Sequence, residues 1–87
     1  MKGENVMKQV ILYSSDHCIF CVKMKEWLKQ NQISYIDKNL KKREYSQELK
    51  QYNAVGIPFI LIIDNKTNDK KIVQGFQPDL VKKYLND

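Results

Sequence analysis

Two cysteines stand three residues apart in Cys18-Ile19-Phe20-Cys21. A thiol attacks as its thiolate, and a free cysteine with a pKa of ~8.5 holds only a few per cent of it at neutral pH. A helix N-terminus changes that balance, because its partial positive charge and unpaired N–H groups favour a sulfur anion. If Cys18 opens a helix, Cys21 lies one turn further along the same face, close enough for the two sulfurs to bridge. Attack by Cys18 on a disulfide then yields a mixed disulfide that Cys21 can resolve. The alternatives are two small apolar residues of a helix face, or a metal site. Structural zinc takes four ligands, and His17, which adjoins Cys18, is the other good candidate. No metal is therefore expected within one chain, and a cluster shared by two chains through Cys18 is the remaining metal reading.

The flanking pattern supplies the helix. Gln9-Val10-Ile11-Leu12-Tyr13 is a near-continuous apolar run, as in a central strand covered on both faces. Ser14, Ser15 and Asp16 each suit a helix N-cap. Phe20, Met24, Trp27 and Leu28 then repeat on one helical face. Ile33-Ser34-Tyr35-Ile36-Asp37 reads as a second strand. Tyr45, Leu49 and Tyr52 mark a second amphipathic helix, with Asn53 as a left-handed cap. Phe59 to Ile63 is the most β-prone run. A turn cluster at residues 64–69 follows, and Lys70-Lys71-Ile72-Val73 returns as the hairpin partner. Pro78 and Asp79 suit the first turn of a last helix carrying Leu80, Val81, Tyr84 and Leu85. The order is β-α-β-α-β-β-α, an α/β fold. The first two strands straddle a helix and are therefore expected to be parallel with a right-handed crossover. Ligands and reactive groups of such units gather at the carboxyl ends of the strands, where Cys18 lies.

Composition narrows the class. The chain has 87 residues, 43% hydrophobic, which suffices for one small core at residues 8–87 and is too apolar for disorder. Residues 1–7 are polar and expected to be disordered. No apolar run approaches the ~20 residues of a membrane span, and no apolar stretch follows Lys2 as in a signal peptide. A cytoplasmic monomer without membrane association is expected. The net charge is +5, but Arg43 is the single arginine. Nucleic-acid readers depend on arginine forks, so no nucleic-acid partner is expected. Either a solvated lysine surface or steering toward an acidic protein accounts for the excess.

Pro58 fits two readings: a trans proline opening an edge strand, or a cis proline that leaves the preceding backbone free to pair with another chain. Cys18 to Cys21, Gly56-Ile57-Pro58 and Gly75-Phe76-Gln77-Pro78-Asp79 together resemble, in order and spacing, the glutaredoxin-like branch of the thioredoxin superfamily. The resemblance runs from Lys8 to Leu85. It implies a thioredoxin fold, with a four-stranded mixed sheet, the first and third helices on one face and the second on the other. It implies that Cys18 is the nucleophile, Cys21 the resolving thiol and Pro58 a cis proline, with the Ile57 backbone bonding the substrate. Gly-Phe-x-Pro-Asp looks like the NrdH-redoxins, which are reduced by thioredoxin reductase and donate electrons to ribonucleotide reductase. Glutaredoxins carry a second glycine where Phe76 stands and a basic residue near Ser15, both for glutathione. Against the redoxin likeness, the dipeptide is Ile-Phe rather than Val-Gln, Val73 replaces an aromatic, and the hairpin loop is longer. Phe20 matches the aromatic that glutaredoxins place before the second cysteine.

The implied activity is reduction of protein disulfides, with no cofactor beyond the redox-active cysteines. The implied partners are protein disulfide substrates and an upstream reductase, either thioredoxin reductase or glutathione acting as co-substrate. Substrate contacts are expected at Phe20, Ile57, Pro58, Gly75 and Phe76. His17 is a candidate for tuning the Cys18 thiolate or shuttling a proton. Trp27 is read as core. Tyr13 is expected to pack behind the dithiol, and Lys23 and Lys25 to face solvent.

Overall fold

Alternation along two central strands divides the protein into two cores. The computed structural model describes residues 8–86, so the expected disorder of residues 1–7 lies outside the described residues. Its elements are β1 (Lys8–Ser14), α1 (Ile19–Gln30), β2 (Ile36–Asn39), α2 (Arg43–Lys50), β3 (Phe59–Asp64), β4 (Lys70–Gln74) and α3 (Pro78–Asn86). The sheet order is β2-β1-β3-β4. β1 runs parallel to β2 and antiparallel to β3, and β3 pairs antiparallel with β4. This is the thioredoxin fold that the motifs imply.

Successive strand residues point to opposite faces. Val10, Leu12, Ile60, Ile62 and Val73 therefore share one face, where they pack with Met24 and Leu28 of α1 and Val81 of α3. Ile11, Tyr13, Phe59 and Leu61 share the other, covered by Leu49 of α2. β1 and β3 are buried on both faces, as their unbroken apolar runs require. Trp27 is partly buried against the first core, in keeping with a packing role.

Several sequence expectations need correction. The second strand begins at Ile36, not Ile33. Gln32 turns into the left-handed region at φ 57°, and the Ile33 N–H bonds back to the Leu28 carbonyl at 2.9 Å, closing α1. Ile33 and Tyr35 then pack against the first core from the connection. The cap of α1 is none of Ser14, Ser15 and Asp16. Ser14 ends β1 fully buried, its hydroxyl donating to Asp37 at 2.6 Å, and the cap is Cys18. Finally, Tyr13 does not lie behind the dithiol on the α1 side. Strand parity sends it under α2, edge-on to Phe59 at 6.0 Å between ring centroids.

Asn53 adopts the left-handed conformation, at φ 55°, but it does not cap α2, which ends at Lys50 with Gln51 as its C-cap and leaves Tyr52 beyond the helix. α3 begins at Pro78, whose missing N–H is of no consequence in a first turn.

Candidate active site

The chain leaves β1 at Ser14 and reaches α1 through Ser15, Asp16 and His17. Cys18 has extended backbone angles, φ −104° and ψ 108°, as an N-cap requires. Its carbonyl accepts the first helical bond from the Val22 N–H at 3.1 Å. Its Sγ accepts from the Cys21 N–H, also at 3.1 Å. The sulfur thus occupies the place that a serine or aspartate oxygen takes in an ordinary cap. No acidic residue stands in the first turn of α1 to oppose a negative charge there.

Cys18 and Cys21 are joined by a disulfide, with Cα atoms 5.1 Å apart. Their environments differ. Cys21 is fully buried on the face that also carries Met24 and Leu28, whereas Cys18 is half-buried. Phe20 is rotated off that face and is 52% exposed, so Cys21 holds the core position that helical spacing alone offers equally to Phe20.

β3 brings the second motif alongside. Tyr13 pairs with Phe59, so Pro58, one residue before β3, arrives at the sheet end from which the Cys18 loop departs. The Ile57–Pro58 peptide is cis, and Pro58 is buried. β3 is a central strand, so the edge-strand reading of this proline does not apply. The third motif is tied to the second. The Gly75 N–H donates to the Pro58 carbonyl at 2.8 Å from a turn in which Gly75 takes φ 83°, a region costly for a residue with a Cβ. Gln74 adds two links: its Oε1 accepts from the Val55 N–H at 3.0 Å, and its carbonyl accepts from Gln77 Nε2 at 2.6 Å. The Phe76 ring stacks on Phe20, centroids 6.4 Å apart and planes 23° from parallel. Lys23 lies over the Phe20 ring, Nζ 5.6 Å from its centroid.

On the other side of the dithiol, the Asp16 carboxylate accepts from Asn39 Nδ2 at 2.8 Å and pairs with Lys41 Nζ at 2.6 Å. These contacts, Lys41 foremost and then Asn39, hold the Asp16 carboxyl below the usual carboxylate range, and Asp16 raises the Lys41 ammonium in return. The pair links the loop that delivers Cys18 to the connection between β2 and α2. His17 is exposed in that loop. Lys25, expected to face solvent, instead pairs with Asp37 at 3.0 Å.

The three sequence motifs therefore meet at one end of the sheet. Gln74 and the Asp16–Asn39–Lys41 cluster were not foreseen, because each joins segments far apart in the chain and none has a local spacing signal. Among the described residues no group of three or more His, Cys, Asp or Glu side chains is placed to hold a metal ion, and no helix is long and apolar enough to cross a membrane.

The family model described as Glutaredoxin matches residues 10–66, which hold the dithiol, the cis proline and β3. Among solved structures, the thioredoxin-like protein BC3987 superimposes with a TM-score of 0.66 at 25% identity, over 86% of this chain and 97% of that one. A glutaredoxin from Archaeoglobus fulgidus gives a TM-score of 0.68 at 15% identity, over 100% of this chain and 97% of its own, a likeness of fold alone. A curated relative, the global transcriptional regulator Spx 2 of Bacillus cereus, is 52% identical over 31 residues. That match takes in 36% of this chain and 24% of the regulator, so it extends over about a quarter of that protein's length.

Proposed function

Because this thiol redox protein belongs to the glutaredoxin family, we propose that it reduces disulfides in client proteins, with Cys18 as nucleophile and Cys21 as resolving thiol. The observation that carries the reading is the unequal placement of the two sulfurs: Cys18 half-buried as the cap of α1, Cys21 fully buried one turn deeper.

In the reduced protein the Cys18 thiolate is stabilised by the helix end and by the Cys21 N–H. It attacks one client sulfur, a Cys18–client disulfide forms, the client S–S bond breaks, and the departing thiolate takes up a proton. The Cys21 thiol then loses its proton and attacks Cys18 Sγ. The Cys18–Cys21 disulfide forms and the second client thiol leaves. The client gains two electrons and two protons, and the protein ends oxidised. An upstream reductase returns the electrons, so no bound organic cofactor takes part. Ile57, Pro58 and Gly75 form the ledge along which an extended client backbone lies, and Phe20 and Phe76 contact its side chains. His17 stands near enough in sequence to Cys18 to modulate the thiolate.

Within this reading, Gly75-Phe76-Gln77-Pro78-Asp79 favours a redoxin recharged by thioredoxin reductase and donating to ribonucleotide reductase. Phe76 and Ser15 replace residues that glutathione binding uses in glutaredoxins, which supports a protein reductant over glutathione. The glutathione-dependent alternative draws on Phe20. A cytoplasmic monomer is the setting proposed. The test is insulin reduction coupled to NADPH and thioredoxin reductase, run beside glutathione with glutathione reductase. Turnover with the first system that disappears in Cys18→Ser supports the proposal; equal rates for wild type and Cys18→Ser overturn it.

A further inference from the structure

The rim of the site carries groups that disulfide exchange itself does not use. Ile19 and Phe20, the first two residues of α1, are 67% and 52% exposed. The Phe20 ring is nevertheless held in place, stacked on Phe76 and covered by the Lys23 ammonium. An exposed aromatic fixed in this way loses little side-chain freedom when another chain lies on it, which is what makes a good anchor. Beyond Phe76 the surface opens into a cleft of about 480 Å³ at the start of α3, with Pro78 and Leu80 in its wall and Lys83 at its margin.

Charge indicates what fits there. Lys25, Lys38 and Lys41 are each paired with a carboxylate, whereas no ion pair among the described residues involves Lys23 or Lys83. The first turn of α1 contains no acid, Asp79 is the acid lining the cleft, and the whole chain carries +5. A basic segment approaching this rim meets Lys23 and the positive end of α1 and has Asp79 of the cleft lining to pair with, while an acidic one finds both Lys23 and Lys83.

The geometry points to a docking surface, formed by the Phe20–Phe76 stack with Lys23, that selects disulfide-bearing client segments in which an apolar side chain is flanked by carboxylates. This rests on the proposed function and specifies its client class. The apolar side chain lies on the stacked rings, and the carboxylates face Lys23 and Lys83. Phe20 stands between the two cysteines in sequence, so a segment anchored on it brings its own disulfide to Cys18.

Two synthetic peptides test the inference. Each holds one intramolecular disulfide and a leucine, flanked in one by glutamates and in the other by lysines. Stoichiometric reduced protein is mixed with each, and peptide thiol is followed in single turnover at low and high salt. In parallel, the peptides with both cysteines replaced by serine are titrated into isotope-labelled protein, with the Phe20 and Phe76 ring signals as readout. The glutamate peptide is expected to react about fivefold faster at low salt, an advantage that high salt reduces and Lys23→Glu abolishes. Phe76→Ala is expected to slow both peptides and keep their order. Equal rates for the two peptides in the wild type, with equal ring shifts, overturn the docking inference and leave the proposed function standing. Reduction of neither peptide, with ring shifts confined to the glutamate peptide, overturns the proposed function and supports the docking surface. Reduction of neither with unmoved rings overturns both.

Discussion

Replacing Tyr13 with Phe removes one oxygen from the end of β1 that delivers the dithiol. Tyr13 is 1% exposed, and its hydroxyl donates to Glu48 Oε1 at 2.8 Å, an oxygen that also accepts from Lys38 Nζ at 2.8 Å. A hydrogen bond to a charged acceptor contributes about 1.5–3 kcal/mol when well buried. The Glu48 side chain is 38% exposed and keeps Lys38 after the substitution. The Tyr13→Phe cost is therefore expected near 1 kcal/mol, which lowers Tm by about 5 °C in a domain of this size. The pH dependence carries the sharper signature. Burial first, then the Glu48 hydrogen bond and charge, raise the Tyr13 phenol well above its ordinary value near 10. A raised phenol contributes stability that is fully present below the unfolded value and is lost as pH rises toward the folded one. At the acid end, Lys38 first and Tyr13 second hold the Glu48 carboxyl below its usual range. Its contribution is present above the unfolded carboxyl value and lost as pH falls through the folded one. The difference between wild type and Tyr13→Phe should thus be widest from about pH 6 to 9 and narrow on both sides. Thermal unfolding followed by circular dichroism from pH 3 to 11 measures it. Equal Tm values at pH 8, or a gap that widens above pH 10, would rule out the Tyr13–Glu48 hydrogen bond as a source of stability.

Two further substitutions probe how the site is held. Gly75→Ala meets no atom within 4 Å of the new Cβ, so its cost is backbone strain at φ 83°, about 1–2 kcal/mol. An unchanged urea midpoint would show that this turn has another conformation available. Met24→Ala empties a fully buried position beside Leu28 and Val81 and is expected to cost about 2–5 kcal/mol, lowering the urea midpoint at unchanged m-value. A loss under 1 kcal/mol would mean the α1 side of the sheet is not closely packed.

Whatever follows from local period was legible in the residues. Val10 to Tyr13 and Phe59 to Ile63 announce strands buried on both faces, and Met24 with Leu28 announces the inner face of α1. The three motifs were legible too, because their spacing is local. What escaped depended on contacts between distant segments. Ile33 and Tyr35 alternate like a strand, yet the left-handed turn at Gln32 uses them as packing against the first core. The exposure of Phe20 between the two cysteines was legible, but its stack on Phe76, a ring 56 residues away in sequence, has no local spacing to announce it. The proline's isomer is a matter of backbone surroundings that residue type leaves open. Gln74, which binds the turn after β4 to the loop before β3, has no periodicity to reveal it.

Disulfide exchange by this route needs one sulfur ionised by the start of α1 while its neighbour is shielded. Site-resolved alkylation of the reduced protein as a function of pH, with each cysteine quantified by mass spectrometry, addresses it most directly. Cys18 is expected to react first and at a pH well below that of a free cysteine, with Cys21 modified slowly at every pH. Cys18 and Cys21 titrating together like free cysteine, or Cys21 reacting first, would leave the exchange without an activated nucleophile at Cys18.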